Sequence, residues 1–182
     1  MNRETIEKIF NFLKEKEGKE LPQKWKLIHE LENHPDGTQY RYKGNLVLSN
    51  SNITKLPDNL FVYGWLDLEN CKQIKELPKK LFVSRSLYME GCEQLKKLPD
   101  NLHIGGSLIL EGSKITELPK KLYVGGYLNL ADCKQLTELP DNLYVGGDLG
   151  IYNTPIAQKY SNKEIREMIT SKGGTLIGKI SR

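Results

Sequence analysis

Between Gly44 and Pro155 the apolar residues return to the same places every 20 or 21 positions. Leu-Pro pairs begin at Leu56, Leu77, Leu98, Leu118 and Leu139, and L-x-L triplets begin at Leu46, Leu66, Leu87, Leu108, Leu128 and Leu149. Two of the triplets end in Met89 and Ile151. Two markers that keep one period define a repeat, and a period of this length predicts a solenoid in which each unit is one coil and neighbouring coils supply its core. Within a unit the L-x-L alternation predicts a short strand with both ends inward and the middle residue outward. The L-x-V segment just before it has the same alternation and predicts a second short strand. Between the two lie Gly105-Gly106, Gly125-Gly126 or Gly146-Gly147, expected to turn the chain through positive φ, with Tyr63-Gly64 and Ser84-Arg85 in the earlier units. The Leu-Pro step fixes another corner, since proline sets its own φ and holds the preceding residue extended.

Outside residues 44–155 the pattern predicts caps, which a solenoid needs because its end coils otherwise expose core. Residues 1–43 form an N-terminal cap: Ile6, Ile9, Phe10 and Leu13 have helical spacing. A second apolar segment, Leu21, Trp25, Leu27, Ile28 and Leu31, suits either a short helix or a degenerate first coil. Residues 156–182 form a C-terminal cap. Ser161 and Glu164 make a capping-box signal, Ile165, Met168 and Ile169 an apolar helix face, and Gly173-Gly174 its end, with TLIGKI as a closing strand.

The run from Leu66 to Pro78, L-x-L-x-x-C-x-x-I-x-x-L-P, resembles a leucine-rich repeat. The wider unit, L-P-x-x-L-x-V-G-G-x-L-x-L, resembles the short repeat proteins of bacteriophages and bacterial mobile elements. The likeness covers residues 44–155 and implies a solenoid of leucine-rich-repeat-like or β-solenoid coils, either a curved horseshoe or a straighter stack. It also implies a partner from a bacterial host, such as a defence protein that the chain would inhibit. Secreted effectors that join such repeats to a ubiquitin ligase are similar in the repeat alone. Their ligase activity does not carry over to a chain without their large following domain or a cysteine in its tail.

Composition adds limits. The chain has 182 residues, 38% hydrophobic and 27% charged, and no apolar run approaches the roughly 18 residues of a membrane span. Its first residues lack the apolar core and cleavage site of a secretory signal, so a cytoplasmic location is expected. The net charge of +4 sits in the tail: residues 156–182 carry six basic and two acidic residues, against twelve and thirteen in 46–155. The five-after position of each triplet is Ser51, Cys71, Cys92, Ser113, Cys133 or Thr154. This is the place of a small inward group, with a redox or metal pair at Cys71 and Cys92 as the alternative.

Function is expected at outward positions, because a fold alone does not specify it. Around the L-x-L strands three columns form: Asn45, Trp65, Ser86, Ser107, Tyr127, Asp148; Val47, Asp67, Tyr88, Ile109, Asn129, Gly150; and Ser49, Glu69, Glu90, Glu111, Ala131, Tyr152. Aromatic rings among carboxylates suit a protein interface. Trp65, Asp67, Tyr88, Glu90, Ile109, Glu111, Tyr127, Asn129 and Tyr152 are the candidate partner-binding residues. A second column within L-x-V, Phe61, Phe82, His103, Tyr123 and Tyr144, forms an aromatic ladder that either stacks on itself or receives a flat ligand or nucleobases. After each Leu-Pro, Asp58-Asn59, Lys79-Lys80, Asp100-Asn101, Lys120-Lys121 and Asp141-Asn142 alternate in charge and leave no continuous basic stripe for phosphates.

No catalytic constellation, metal site or cofactor motif is recognised. His29 and His34 stand near Glu30, Glu32 and Asp36, yet their spacing matches no established metal site. The sequence therefore predicts a non-enzymatic module that binds protein through the L-x-L face. Binding of nucleic acid or a nucleotide ligand, and self-association as a structural protein, are the alternatives.

Overall fold

The computed structural model describes residues 23–182, and it is a β-solenoid of about five coils of about 21 residues. Every coil gives one short strand to each of two parallel sheets, and the segments flanking the coils complete seven strands in each. The first sheet runs β1 (Gln39–Tyr42), β3 (Asn59–Val62), β5 (Phe82–Val83), β7 (His103–Ile104), β9 (Tyr123–Val124), β11 (Tyr144–Val145) and β13 (Thr175–Leu176). The second runs β2 (Leu46–Val47), β4 (Leu66–Asp67), β6 (Leu87–Tyr88), β8 (Leu108–Ile109), β10 (Leu128–Asn129), β12 (Leu149–Gly150) and β14 (Ile180–Ser181). The L-x-V and L-x-L segments are these two sets of strands, and two parallel sheets decide for a β-solenoid among the two architectures. The third side of each coil has no regular strand and carries the Leu-Pro corner.

Like residues pair with like. Leu66 faces Leu46 and Leu87, and Val124 faces Ile104 and Val145. The inward leucines, with Ile53, Ile74, Leu95, Ile115 and Leu136 from the third side, form one continuous buried core. The small residues five after each triplet start also point inward. Cys71, Cys92 and Cys133 donate their thiols to the main-chain carbonyls of Leu48, Leu68 and Leu110 at 3.1–3.2 Å. Burial pushes all three thiols up, Cys92 to about 12, so they rest as neutral donors.

The paired glycines act differently from the sequence expectation. None of Gly105, Gly106, Gly125, Gly126, Gly146 and Gly147 has positive φ. Instead their coils approach too closely for a side chain: a Cβ on Gly105, Gly125 or Gly146 would lie well under 3 Å from the carbonyl oxygen of Ser84, Gly105 or Gly125 on the preceding coil. Left-handed residues stand instead four after each triplet start, at Asn50, Asn70, Gly91, Gly112, Asp132 and Asn153, and three after a Leu-Pro leucine at Asn101, Lys121 and Asn142. Asparagine and aspartate tolerate that conformation among L residues. Their side chains also bridge coils, with Asn70 Nδ2 donating to Asn50 Oδ1 at 3.2 Å.

Both ends are covered. The segment around Leu27, Ile28 and Leu31 is a helix, α1 (Gln23–Glu32), and Leu31 is buried in the core. The helix expected over Ile6 to Leu13 lies outside the described residues. β1 adds to the coil of the Leu46 triplet a first-sheet strand that the L-x-V pattern does not mark, with Tyr40 and Tyr42 opposite Leu60 and Val62. After β12, Thr154 accepts from Ala157 N as the N-cap of α2 (Pro155–Lys159), and Ser161 with Glu164 completes the expected capping box of α3 (Asn162–Ser171). Ile165 and Ile169 of α3 are buried.

The last coil ends on side chains from α3. Gly126 N donates to Gly106 O, Gly147 N to Gly126 O and Gly178 N to Gly147 O, at 2.9–3.0 Å. Arg166 closes this chain of bonds, with Nη2 donating to Gly178 O at 2.6 Å and Nη1 to Leu176 O at 2.8 Å. Asn162 Nδ2 serves Ile180 O in the other sheet at 3.1 Å. Arginine and asparagine donors thus stand where the amides of a further coil would.

The two glycine classes separate by substitution. Gly125→Ala forces a Cβ against backbone and is expected to cost about 3 kcal/mol or more. Gly112→Ala meets nothing within 4 Å and is expected to cost only about 1 kcal/mol for its left-handed backbone. Urea unfolding followed by circular dichroism measures both, and equal losses would return the paired glycines to a conformational role.

Candidate functional site

The face of the second sheet carries the sequence-predicted binding residues, and main-chain needs explain some of them. In the column before each triplet, Asn45 Oδ1 accepts from Trp65 N at 3.2 Å, Ser86 Oγ from Ser107 N at 3.1 Å, and Ser107 Oγ from Tyr127 N at 3.1 Å. Asp148 Oδ1 accepts from Lys179 N at 2.7 Å. A short polar side chain here ties down the first amide of the next coil. Trp65 and Tyr127 occupy the same column with rings that cannot accept in this way.

In the middle column Asp67 and Asn129 also build local structure, each accepting from the amide two residues on, Glu69 N and Ala131 N, at 3.0 Å. Asn129 is only 8% exposed. Its Nδ2 donates to Glu111 Oε2 at 2.9 Å. The hydroxyl end of Tyr127 lies over Gly150, where a Cβ would meet it. Tyr88 and Ile109 are half-buried between these positions, and Tyr152 stands 62% exposed beyond them.

The column after the triplet is acidic on three successive coils, at Glu69, Glu90 and Glu111. Glu69, which the sequence places in this column without singling it out, stands beside Glu90 on the preceding coil, where Asn70 N donates to Glu90 O at 2.8 Å. Burial, the Glu69 hydrogen bond and charge, and the charges of Glu111 and Asp67 push the Glu90 carboxyl up to about 7. The ion pairs of the described residues lie elsewhere, as in Lys72 with Glu93 at 2.9 Å and Lys97 with Glu117 at 2.6 Å. Across the outward positions of β4, β6, β8, β10 and β12 and their flanking columns there is no lysine or arginine.

On the first sheet the rings form the expected ladder and are used up by one another. Centroids lie 5.9 Å apart from Phe61 to Phe82, 6.0 Å to His103, 4.2 Å to Tyr123 and 4.6 Å to Tyr144. The last three pairs are within 8° of parallel. Arg41 covers the open end, its guanidinium 5.9 Å from the Phe61 ring. Rings stacked in this way present edges outward, and the interior of the ladder offers no face to a nucleobase.

The acidic and histidine residues near α1 have structural partners. Glu30 accepts from the Tyr40 hydroxyl at 2.7 Å, Glu32 from the Thr54 amide and hydroxyl at 2.7 and 2.8 Å, and His34 Nε2 contacts Thr38 Oγ1 at 2.7 Å. Among the described residues no cluster of histidine, cysteine or carboxylate has the form of a metal site, and no helix is long and apolar enough to cross a membrane. Comparison of the chain with protein-family models, with curated proteins and with solved structures gives no match.

The crowded carboxylates have a pH signature. A carboxyl raised in the folded state costs nothing below its unfolded value of 4.5, and its cost grows as pH rises towards about 7 and stays constant above it. Glu90→Gln removes that cost. The variant is expected to match the parent at pH 4 and to exceed its stability at pH 8 by on the order of 1 kcal/mol, after solvent screening of a half-exposed group. Thermal melts at the two pH values test this, and a variant less stable at pH 8 would show that Glu90 supports the fold.

Proposed function

We propose that the chain is a non-enzymatic protein-binding module whose partner seats on the face of the second sheet. One observation carries the reading. The column before each triplet follows a structural rule, a short side chain that holds the next coil's amide, and the rule is broken by Trp65 and Tyr127. A solenoid that sets aside local hydrogen bonds for large half-buried rings has placed them there for something other than its own fold. Tyr88 and Ile109 continue the apolar strip between them, and tryptophan and tyrosine are the side chains that most often dominate a protein interface. The carboxylates around the strip repel one another, which is a further departure from what stability alone would select.

The resemblance of the repeat unit to short phage and mobile-element proteins directs the search for the partner to bacterial host proteins. A component of antiviral defence, blocked by occupation of its own surface, is the first class to test. Replacing Trp65, Tyr88 and Tyr127 together with alanine leaves the inward leucines and the ladder bonds in place. The triple variant is expected to keep the circular dichroism spectrum of the parent and to lose the protein that the parent captures from bacterial lysate. Equal recovery by both would remove the binding site from this face.

A further inference from the structure

The same face carries a statement about its partner, which rests on the binding role proposed above. We infer that the segment seated on Tyr88 and the acidic column is a basic one, and that its lysine or arginine side chain enters between Glu69 and Glu90, which the parallel register brings side by side on adjacent coils.

The argument is one of charge complementarity. Asp67, Glu69, Glu90 and Glu111 lie on three successive coils, and no described lysine or arginine forms an ion pair with any of them. The groups facing Glu90 are Glu69 and Asp67 on the coil before it and Glu111 on the coil after it, all acidic. The free face relieves this crowding by holding a proton near neutral pH. An ammonium or guanidinium relieves it better, since it supplies several donors and a full charge where the proton supplies one bond. Tyr88, in the middle column next to the acidic one, can add a ring contact to such a cation. An acidic or neutral segment would leave the repulsion in place and desolvate it.

Proton balance then makes binding depend on pH. Entry of the cation displaces the Glu90 proton to solvent, so affinity falls as pH drops below about 7. A carboxyl at that value is mostly ionised at pH 8 and mostly protonated at pH 6, which corresponds to about a tenfold weaker complex at the lower pH.

The probe is an eight-residue peptide of alternating lysine and valine, compared with one of alternating glutamate and valine, titrated into the full chain at low salt by isothermal calorimetry. Expected are binding of the lysine peptide alone, about a tenfold loss from pH 8 to pH 6, and release of close to one proton at pH 6 but only about a tenth of one at pH 8, read from the dependence of heat on buffer. The double variant E69Q/E90Q is expected to bind the lysine peptide more weakly at pH 8 and without that pH dependence. Equal affinity for the two peptides, pH-independent binding, or unchanged binding by the double variant overturns the inference. If neither peptide binds while lysate capture still depends on Trp65, Tyr88 and Tyr127, the basic partner is wrong and the binding face stands; if that capture is also unaffected by the triple substitution, both readings fall.

Discussion

Coil rests on coil through parallel main-chain hydrogen bonds, and this sets a repeat distance of roughly 4.8 Å that no side chain can alter. Everything placed once per coil must therefore stack on its own kind at that distance. Inward leucines do so with gain, since each buries the next. The aromatic rings of the first sheet do so with gain as well, because the spacing is close to that of stacked rings. Asparagines at the left-handed turn bridge to one another, and the buried cysteines avoid the problem by bonding to main chain. Carboxylates are the case in which stacking is unfavourable, and Glu69, Glu90 and Glu111 carry that cost on the same face as Trp65 and Tyr127. The constraint that stabilises the rest of the molecule is what makes this patch strained.

Much of the architecture was legible because it is periodic. Leucines at a fixed spacing announced the coils, the L-x-L and L-x-V alternation announced one strand in each of two sheets, and Ser161 with Glu164 announced the start of α3. What was not legible depends on distances between coils. Paired glycines read as turn formers, and only the approach of one coil's carbonyl to the next shows that they are spacers. The first strand of the first sheet was hidden because Tyr40 and Tyr42 replace the expected leucine and valine. Thr154 read as the small inward group of its coil, and the same side chain also caps α2.

The candidate site was legible as a list of columns and illegible as energetics. Sequence placed Trp65, Tyr88 and Tyr127 outward, which the structure shows. It could not tell that Ser86, Ser107 and Asp148 in the column of Trp65 are occupied with main-chain amides, or that Asn129 is nearly covered. Nor could it separate Glu69 and Glu90, stacked on adjacent coils without a cation between them, from Glu93 and Glu117, which pair with lysines across coils.

The closing contacts at the C-terminal end bear on what the end of the stack asks of the sequence. Arg166 and Asn162 grip carbonyl oxygens of the last coil and none of its side chains. Every coil ahead of them offers the same backbone oxygens at the same spacing. These two grips therefore make no demand on which side chains the last coil carries, while Lys172 adds a specific contact to Asp141 at 3.9 Å on the coil before it. The main chain closes the end, and the outward columns are left to the surface they offer.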